Sequence, residues 1–171
     1  MKKEYKTYDC EYMQIAKAPR YLYIHISMTF GAESNYIGIM FLYDSDTKKL
    51  KYSHDDRHIY DIRYGLTKAA YKELGTMTVN DKVNVNDMLN TQLKDKSIWF
   101  DGNDYTVFLR NGDQTNHFSV YEEKLFEDSP FQWIMDVFKD ILINNTLEQA
   151  HESEFQKRFK EIHSELFVNP E

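Results

Sequence analysis

The sequence predicts a single α+β domain spanning residues 1–171, and three observations lead to that class. Short segments in which apolar and polar residues alternate dominate the first 121 residues, as is typical of strands in an antiparallel sheet. Helical periodicity is confined to a middle segment and to the C-terminal third. Aromatic residues make up 15% of the chain, and glycine and proline are few, so the composition is that of a packed domain.

The first predicted strand has the most regular pattern. From Tyr21 to Phe30, apolar residues alternate strictly with Tyr, His, Ser and Thr, which predicts a strand with one apolar face. The pairs Asp101-Gly102 and Asn111-Gly112 predict tight turns, because these residues tolerate positive φ. Strands predicted on the same grounds lie at 36–43, 50–53, 97–101, 105–110 and 115–121.

Two helices are predicted in the middle of the chain. Apolar residues recur at helical spacing from Ile59 to Ala70, and Gly75 stands where a helix C-terminus would place it. Asn86 is predicted to cap a second, short helix that ends at Leu93. Because this helical segment is inserted among sequential strands, the class is α+β and not doubly wound α/β.

Two more helices are predicted at the C-terminus, packed on the sheet. Ser129, Pro130 and Gln132 form a capping box that opens an amphipathic helix to about Asn144. Thr146 and Gln149 form a second capping box, which predicts a last helix. The apolar stripes of the two helices comprise Phe131, Ile134, Met135, Phe138, Ile141 and Leu142, and then Phe155, Phe159, Ile162 and Leu166.

The acidic charge of the chain is concentrated at its C-terminal end. Residues 1–121 carry 16 basic and 16 acidic side chains, whereas residues 122–171 carry 5 and 12, so the net charge of −7 belongs to the last fifty residues. Such an end repels nucleic acid and anionic membranes and attracts basic proteins. We therefore expect a basic protein partner and no nucleic-acid or membrane partner. The sequence leaves open the alternative that these acids only keep two helices solvated.

Cysteine and apolar patterning predict a soluble cytoplasmic protein. Cys10 is the only cysteine, so no disulfide can form within the chain, which suits a reducing compartment. No run approaches the roughly 20 apolar residues of a membrane-spanning helix. The oligomeric state is not predicted.

Two His-x-Ser segments could carry chemistry. His25 with Ser27 and His117 with Ser119 each lie in a predicted strand, opposite its apolar residues. This pairing resembles the two-histidine phosphoesterases, whose paired His-x-Thr/Ser motifs line a cleft. The resemblance implies a small phosphodiesterase acting on cyclic or 2′,5′-linked nucleotides, with one histidine as base and the other as acid. The alternative is that both histidines bond to neighbouring Tyr or Ser side chains.

No metal or cofactor is expected. His54 and His58 stand four residues apart and would share one face of a helix, as zinc ligands do, but no third ligand is identifiable. A polar turn that leads into a helix is the preferred interpretation of this segment. No Gly-rich phosphate loop or Gly-x-Ser-x-Gly motif occurs.

The first C-terminal helix predicts a binding surface. Rotation by about 100° per residue places Trp133 away from the apolar stripe, beside Asp136 and Asp140. Tryptophan is enriched at the energetic centres of protein interfaces, and carboxylates around it can bind Lys or Arg of a partner. The alternative is that another segment covers Trp133 and makes it part of the core.

The layout of residues 101–142 resembles several small immunity-type proteins of bacterial toxin systems. An Asp-Gly turn, two strands and an amphipathic helix opened by Ser129-Pro130 follow one another in the same order. The resemblance implies neutralisation of a cognate toxin, often a basic nuclease, with no catalytic residues. The expected interface consists of Tyr121, Glu122, Glu123, Glu127, Asp128, Trp133, Asp136 and Asp140.

Overall fold

The computed structural model describes residues 11–30, 35–55, 71–79, 81–96 and 104–143. Within these ranges, six antiparallel strands form one sheet in the order β4-β3-β2-β1-β5-β6. The strands are β1 (Tyr21–Phe30), β2 (Asn35–Asp44), β3 (Lys49–Asp55), β4 (Tyr71–Thr78), β5 (Asp104–Asn111) and β6 (Gln114–Val120). Three helices accompany them: α1 (Glu11–Ile15), α2 (Val85–Asn90) and α3 (Gln132–Ile143). The predicted α+β class is confirmed.

The larger core lies between one face of the sheet and α3. Leu22, Ile24, Ile26 and Met28 of β1 are at most 1% exposed and belong to this core, as their alternation predicts. Helix α3 contributes Ile134, Met135, Phe138 and Ile141, and Phe131 precedes it in the same cluster. The apolar stripe predicted for this helix is therefore confirmed at these positions.

A smaller core lies on the opposite face of the sheet, under α1. Tyr12 and Ala16 pack there with Tyr23, Met40 and Leu42. The Tyr12 hydroxyl lies 2.7 Å from the Ser53 hydroxyl of β3, and both residues are buried. The central strand β1 is consequently buried on both faces, and its polar residues His25 and Ser27 are buried as well.

The turn between β5 and β6 forms at Asn111-Gly112, as predicted. Gly112 has φ +61°, a conformation that an L side chain rarely adopts. The Asn111 amide donates to the backbone carbonyls of Pro19 and Tyr21, at 2.9 and 2.8 Å. The Gly112 N–H donates to the Ala16 carbonyl at 2.7 Å. This turn therefore fixes the end of the hairpin to the segment between α1 and β1.

Two predictions in the middle of the chain are wrong. Gly75 does not end a helix, because it lies inside β4 opposite Tyr52, where a Cβ would come within 2.8 Å of the Tyr52 hydroxyl. The short helix is capped by Asn84 and not by Asn86: the Asn84 side chain accepts a hydrogen bond from the Asp87 N–H at 3.0 Å. The structural reason is that the helix begins one residue before Asn86.

Several predicted elements lie outside the described residues: the helical segment 59–70, the strand 97–101 and the last helix, from Thr146. The predicted cap of α3 is partly seen, since the Ser129 hydroxyl accepts a hydrogen bond from the Phe131 N–H at 3.1 Å.

No helix in the described part of the chain is long and apolar enough to cross a membrane.

Candidate functional site

The two His-x-Ser segments lie on the same face of the sheet at the same two levels. His25 is opposite Phe108 of β5, and Phe108 is opposite His117 of β6. In the next row, Thr106 stands in the same way between Ser27 and Ser119. Both pairs are thus separated by one intervening strand, which corresponds to about 9–10 Å between their backbones.

The surroundings of the two histidines differ. His25 is only 8% exposed, whereas His117 is exposed and its ring centroid lies 6.3 Å from that of Phe108. The hydroxyls of Thr106 and Ser119 are 2.7 Å apart, so Ser119 is hydrogen-bonded across the hairpin. A general acid and base must both reach one reacting group. Here the side chain of Phe108 stands between them.

His54 is not in a turn that leads into a helix. It lies in β3 opposite Ile39 and is 6% exposed, on the face that carries the larger core. His58 is outside the described residues. The interpretation of this segment as a polar turn is therefore wrong at His54, because β3 extends two residues beyond the predicted strand end at Ser53.

The predicted binding surface begins where β6 ends. Among the described residues, Tyr121 is the one large apolar side chain that is exposed, with 41% of its surface accessible to solvent. The carboxylate of Asp95 accepts hydrogen bonds from the backbone N–H groups of Tyr121 and Glu122, at 2.9–3.0 Å. A segment distant in sequence therefore holds the backbone at this point.

Glu122 and Glu123 differ in how much of their charge is available to the predicted binding surface. Glu122 is half-buried and precedes the 3₁₀ helix Glu123–Phe126. Glu123 forms a salt bridge with Lys139 of α3 and accepts a hydrogen bond from the Tyr105 hydroxyl at 3.3 Å. The charge of Glu123 is thus balanced inside the protein and joins the 3₁₀ helix to α3.

The remaining acids of the surface are exposed. Glu127 and Asp128 lie before α3, and Asp128 has φ +56°, which closes the turn into the helix. Asp136 and Asp140 are exposed on α3 and lie four residues apart, hence on one side of the helix. The inner side of α3 is buried, so these carboxylates are attached to a helix that the core holds in place.

Trp133 does not belong to the exposed surface. It is 5% exposed and is part of the larger core, so the alternative that another segment covers Trp133 is confirmed and its expected place in the exposed interface is wrong. The buried side of α3 is broad: Trp133 and Met135 lie about 100° to either side of Ile134, and all three are buried. Trp133 thus marks the flank of the buried face, at nearly the same angle around the helix as Asp140. Its ring contacts Tyr43 of β2.

Two acidic residues near Tyr121 were not predicted from the sequence. Asp95 comes from the segment after α2, and Asp104 begins β5. Burial, together with the nearby charge of Asp95, raises the pKa of the Asp104 carboxyl. Within the described residues, Asp104 Oδ1 is buried without a hydrogen-bond partner. No sequence pattern links these residues to Tyr121, because only the folded chain brings them together.

Comparisons with known proteins add no assignment. No protein-family model matches the sequence, and no curated protein matches it either.

Proposed function

We propose that the protein is a binding protein that neutralises a basic toxin, in the manner of an immunity protein, by occluding the toxin's cationic surface. The observation that supports this function most is the position of Asp136 and Asp140, exposed on a helix whose other side is buried. Charges fixed to a rigid element keep their spacing before the partner arrives, which lowers the cost of ordering on binding.

Charge counting over the same segment supports the partner class. Residues 121–143 contain six acidic and two basic side chains, and one of the two basic ones, Lys139, is paired with Glu123. A nuclease attracts phosphate and is therefore basic, so its inhibitor benefits from carboxylates that imitate the charge of the substrate. The proposed contact residues are Tyr121, Glu122, Glu127, Asp128, Asp136 and Asp140. Trp133 supports the surface from below.

The test is a binding measurement with the basic proteins encoded by genes adjacent to that of this protein. We expect a complex that weakens as salt increases. The double charge reversal Asp136→Lys with Asp140→Lys should raise Kd by at least about tenfold. Asp113→Lys, an equal reversal in the exposed turn between β5 and β6, is the matched control. A complex that is insensitive to both salt and the double reversal would overturn the proposed surface.

A second candidate function is phosphodiester cleavage by the paired His-x-Ser segments. Its support is the shared face and matching level of His25 and His117. We rank it second because Phe108 separates the two imidazoles. Its test is hydrolysis of 2′,3′-cyclic nucleotides and 2′,5′-linked oligonucleotides by the intact protein. His25→Ala and His117→Ala should each abolish the activity, while Thr115→Ala on the same exposed hairpin should retain it. Absence of hydrolysis by the wild type would end this candidate.

A further inference from the structure

The segment that contains α2 lies beside β6 but buries little of its own surface. We name residues 84–95 the strap; among them only Met88 is buried. A helix of six residues is not stable in water by itself, so contacts with the rest of the protein must hold it. No backbone-to-backbone hydrogen bond joins the strap to β6, both of which the structure describes in full. The strap is therefore attached to β6 by side chains.

Asn116 of β6 makes the buried attachment. It is 6% exposed and lies on the face of the larger core, as Phe118 does two residues later. Its side-chain amide donates to the carbonyls of Met88 and Thr91, at 2.8 and 2.7 Å. The last carbonyls of a helix have no partner within the helix, and here an asparagine of the sheet supplies the missing donor. Asn116 Oδ1 also accepts from the Gln92 side-chain amide at 3.3 Å.

Two further side chains of the strap reach the backbone at the outer edge of the sheet, where β6 is the last described strand. The Gln92 amide donates to the His117 carbonyl at 3.3 Å, and the Asp95 carboxylate accepts from the Tyr121 N–H at 3.0 Å. His117 and Tyr121 are four residues apart, so these backbone groups point to the same edge. An open strand edge offers such groups to other strands. The strap thus occupies groups through which another strand could pair.

We infer that the strap is a cover on the edge of β6, held closed by Asn116, and that it opens as one unit while the sheet stays folded. Segments with few buried apolar contacts open locally at a lower free energy than the core of a protein does. The central strand β1 is the opposite case, since it lies between β2 and β5, and Ile24 and Ile26 are 0% exposed. Opening of the strap frees the His117 carbonyl and the Tyr121 N–H together. This inference does not depend on the proposed function.

The first experiment is native-state hydrogen exchange of the full wild-type chain at increasing denaturant, followed residue by residue by NMR. We expect the amides of α2 and of Tyr121 to share one opening free energy that depends weakly on denaturant. Their protection factors should be at least about tenfold lower than those of Ile24 and Ile26. Different opening free energies for α2 and Tyr121, or exchange of both only through global unfolding, would overturn the inference.

The second experiment removes the buried attachment. Asn116→Ala leaves the carbonyls of Met88 and Thr91 without their donor, so the protection factors of the α2 amides should fall about ten- to hundredfold. The Tyr121 amide should lose protection by the same factor, although Asn116 does not contact it, because both attachments open together. A Tyr121 amide that keeps its protection while α2 loses it would mean that the strap does not open as one unit.

A milder variant keeps the test decisive if Asn116→Ala does not fold. Gln92→Ala removes an exposed side chain that bonds to Asn116 and to the His117 carbonyl, so it should lower protection of α2 and Tyr121 together by about two- to fivefold. Gln114→Ala is the matched control, because Gln114 is exposed at the start of β6, and its protection factors should equal those of the wild type. Equal effects of the two Gln→Ala variants would contradict the attachment.

Discussion

The indole ring of Trp133 packs against the phenol ring of Tyr43, with ring centroids 6.5 Å apart and planes inclined by 53°. Both residues are at least 95% buried, so the contact ties the start of α3 to the end of β2. The indole N–H finds no acceptor among the described residues. Among the described residues, Trp133 is held by ring packing and burial, and none of them offers its indole N–H a hydrogen bond.

This contact predicts different costs for two substitutions of Trp133. Trp133→Ala leaves a large cavity and should lower the free energy of unfolding by about 3–5 kcal/mol. Trp133→Phe should cost much less, since it retains a ring and removes a buried N–H for which the described residues supply no acceptor. Denaturant unfolding followed by circular dichroism measures both values. Equal costs for the two variants would show that ring packing on Tyr43 is not what holds this residue.

Gly112 provides a second test, at the end of the β5–β6 hairpin. At φ +61°, Gly112→Ala should cost about 1–2 kcal/mol of stability, because an L side chain is strained there. Gly112→Asn should cost less, since asparagine adopts this conformation more readily than alanine does. Thermal unfolding of the two variants gives the comparison. A Gly112→Ala variant as stable as wild type would contradict the strain.

The sequence predicts this fold well where one local pattern decides the structure. The alternation from Tyr21 to Phe30 predicts β1 at its observed bounds. The pair Asn111-Gly112 likewise predicts the turn between β5 and β6. Prediction fails where two distant segments decide together. Gly75 lies inside β4 at a place where Tyr52 of β3 leaves no room for a Cβ, and Trp133 is buried in contact with Tyr43 of β2.

In the candidate site, too, the sequence predicts what one local pattern decides and misses what two distant segments decide together. The exposed acids of α3 follow from helical periodicity, since Asp136 and Asp140 lie off the apolar stripe. Asp95 does not, because its partners are backbone N–H groups that become neighbours only when the segment after α2 lies beside β6. A hydrogen bond from a side chain to a distant backbone leaves no periodic signal in the sequence.

The hydrogen bond between Tyr12 and Ser53 should stabilise the packing of α1 on the sheet. Ser53 is fully buried, so Tyr12→Phe leaves a buried hydroxyl without this partner and should cost about 1–3 kcal/mol. Ser53→Ala alone removes the serine hydroxyl and leaves the Tyr12 hydroxyl without this hydrogen bond. The double variant should be less destabilised than the sum of the single variants, because no polar group is then left unpaired. Strict additivity in denaturant unfolding would mean that the two hydroxyls do not interact.

Asp104 should make the stability of the protein depend on pH in a defined direction. Its carboxyl has a raised pKa, first because it is partly buried and second because Asp95 is nearby. The folded protein therefore binds this proton more tightly than the unfolded chain does. The resulting stabilisation is present below the unfolded pKa of about 3.9 and is lost as the pH rises through the higher folded value.

Asp104→Asn removes this titration and should be more stable than the wild type at neutral pH. The advantage should shrink as the pH is lowered towards 3, where the wild-type carboxyl is protonated and resembles the amide in charge. The measurement is denaturant unfolding of both proteins between pH 3 and 7. Asp113→Asn, which neutralises an exposed carboxylate at the other end of β6, is the control and should follow the wild-type profile closely. A difference between Asp104→Asn and wild type that stays constant across this range would mean that the folded state does not raise the pKa of Asp104.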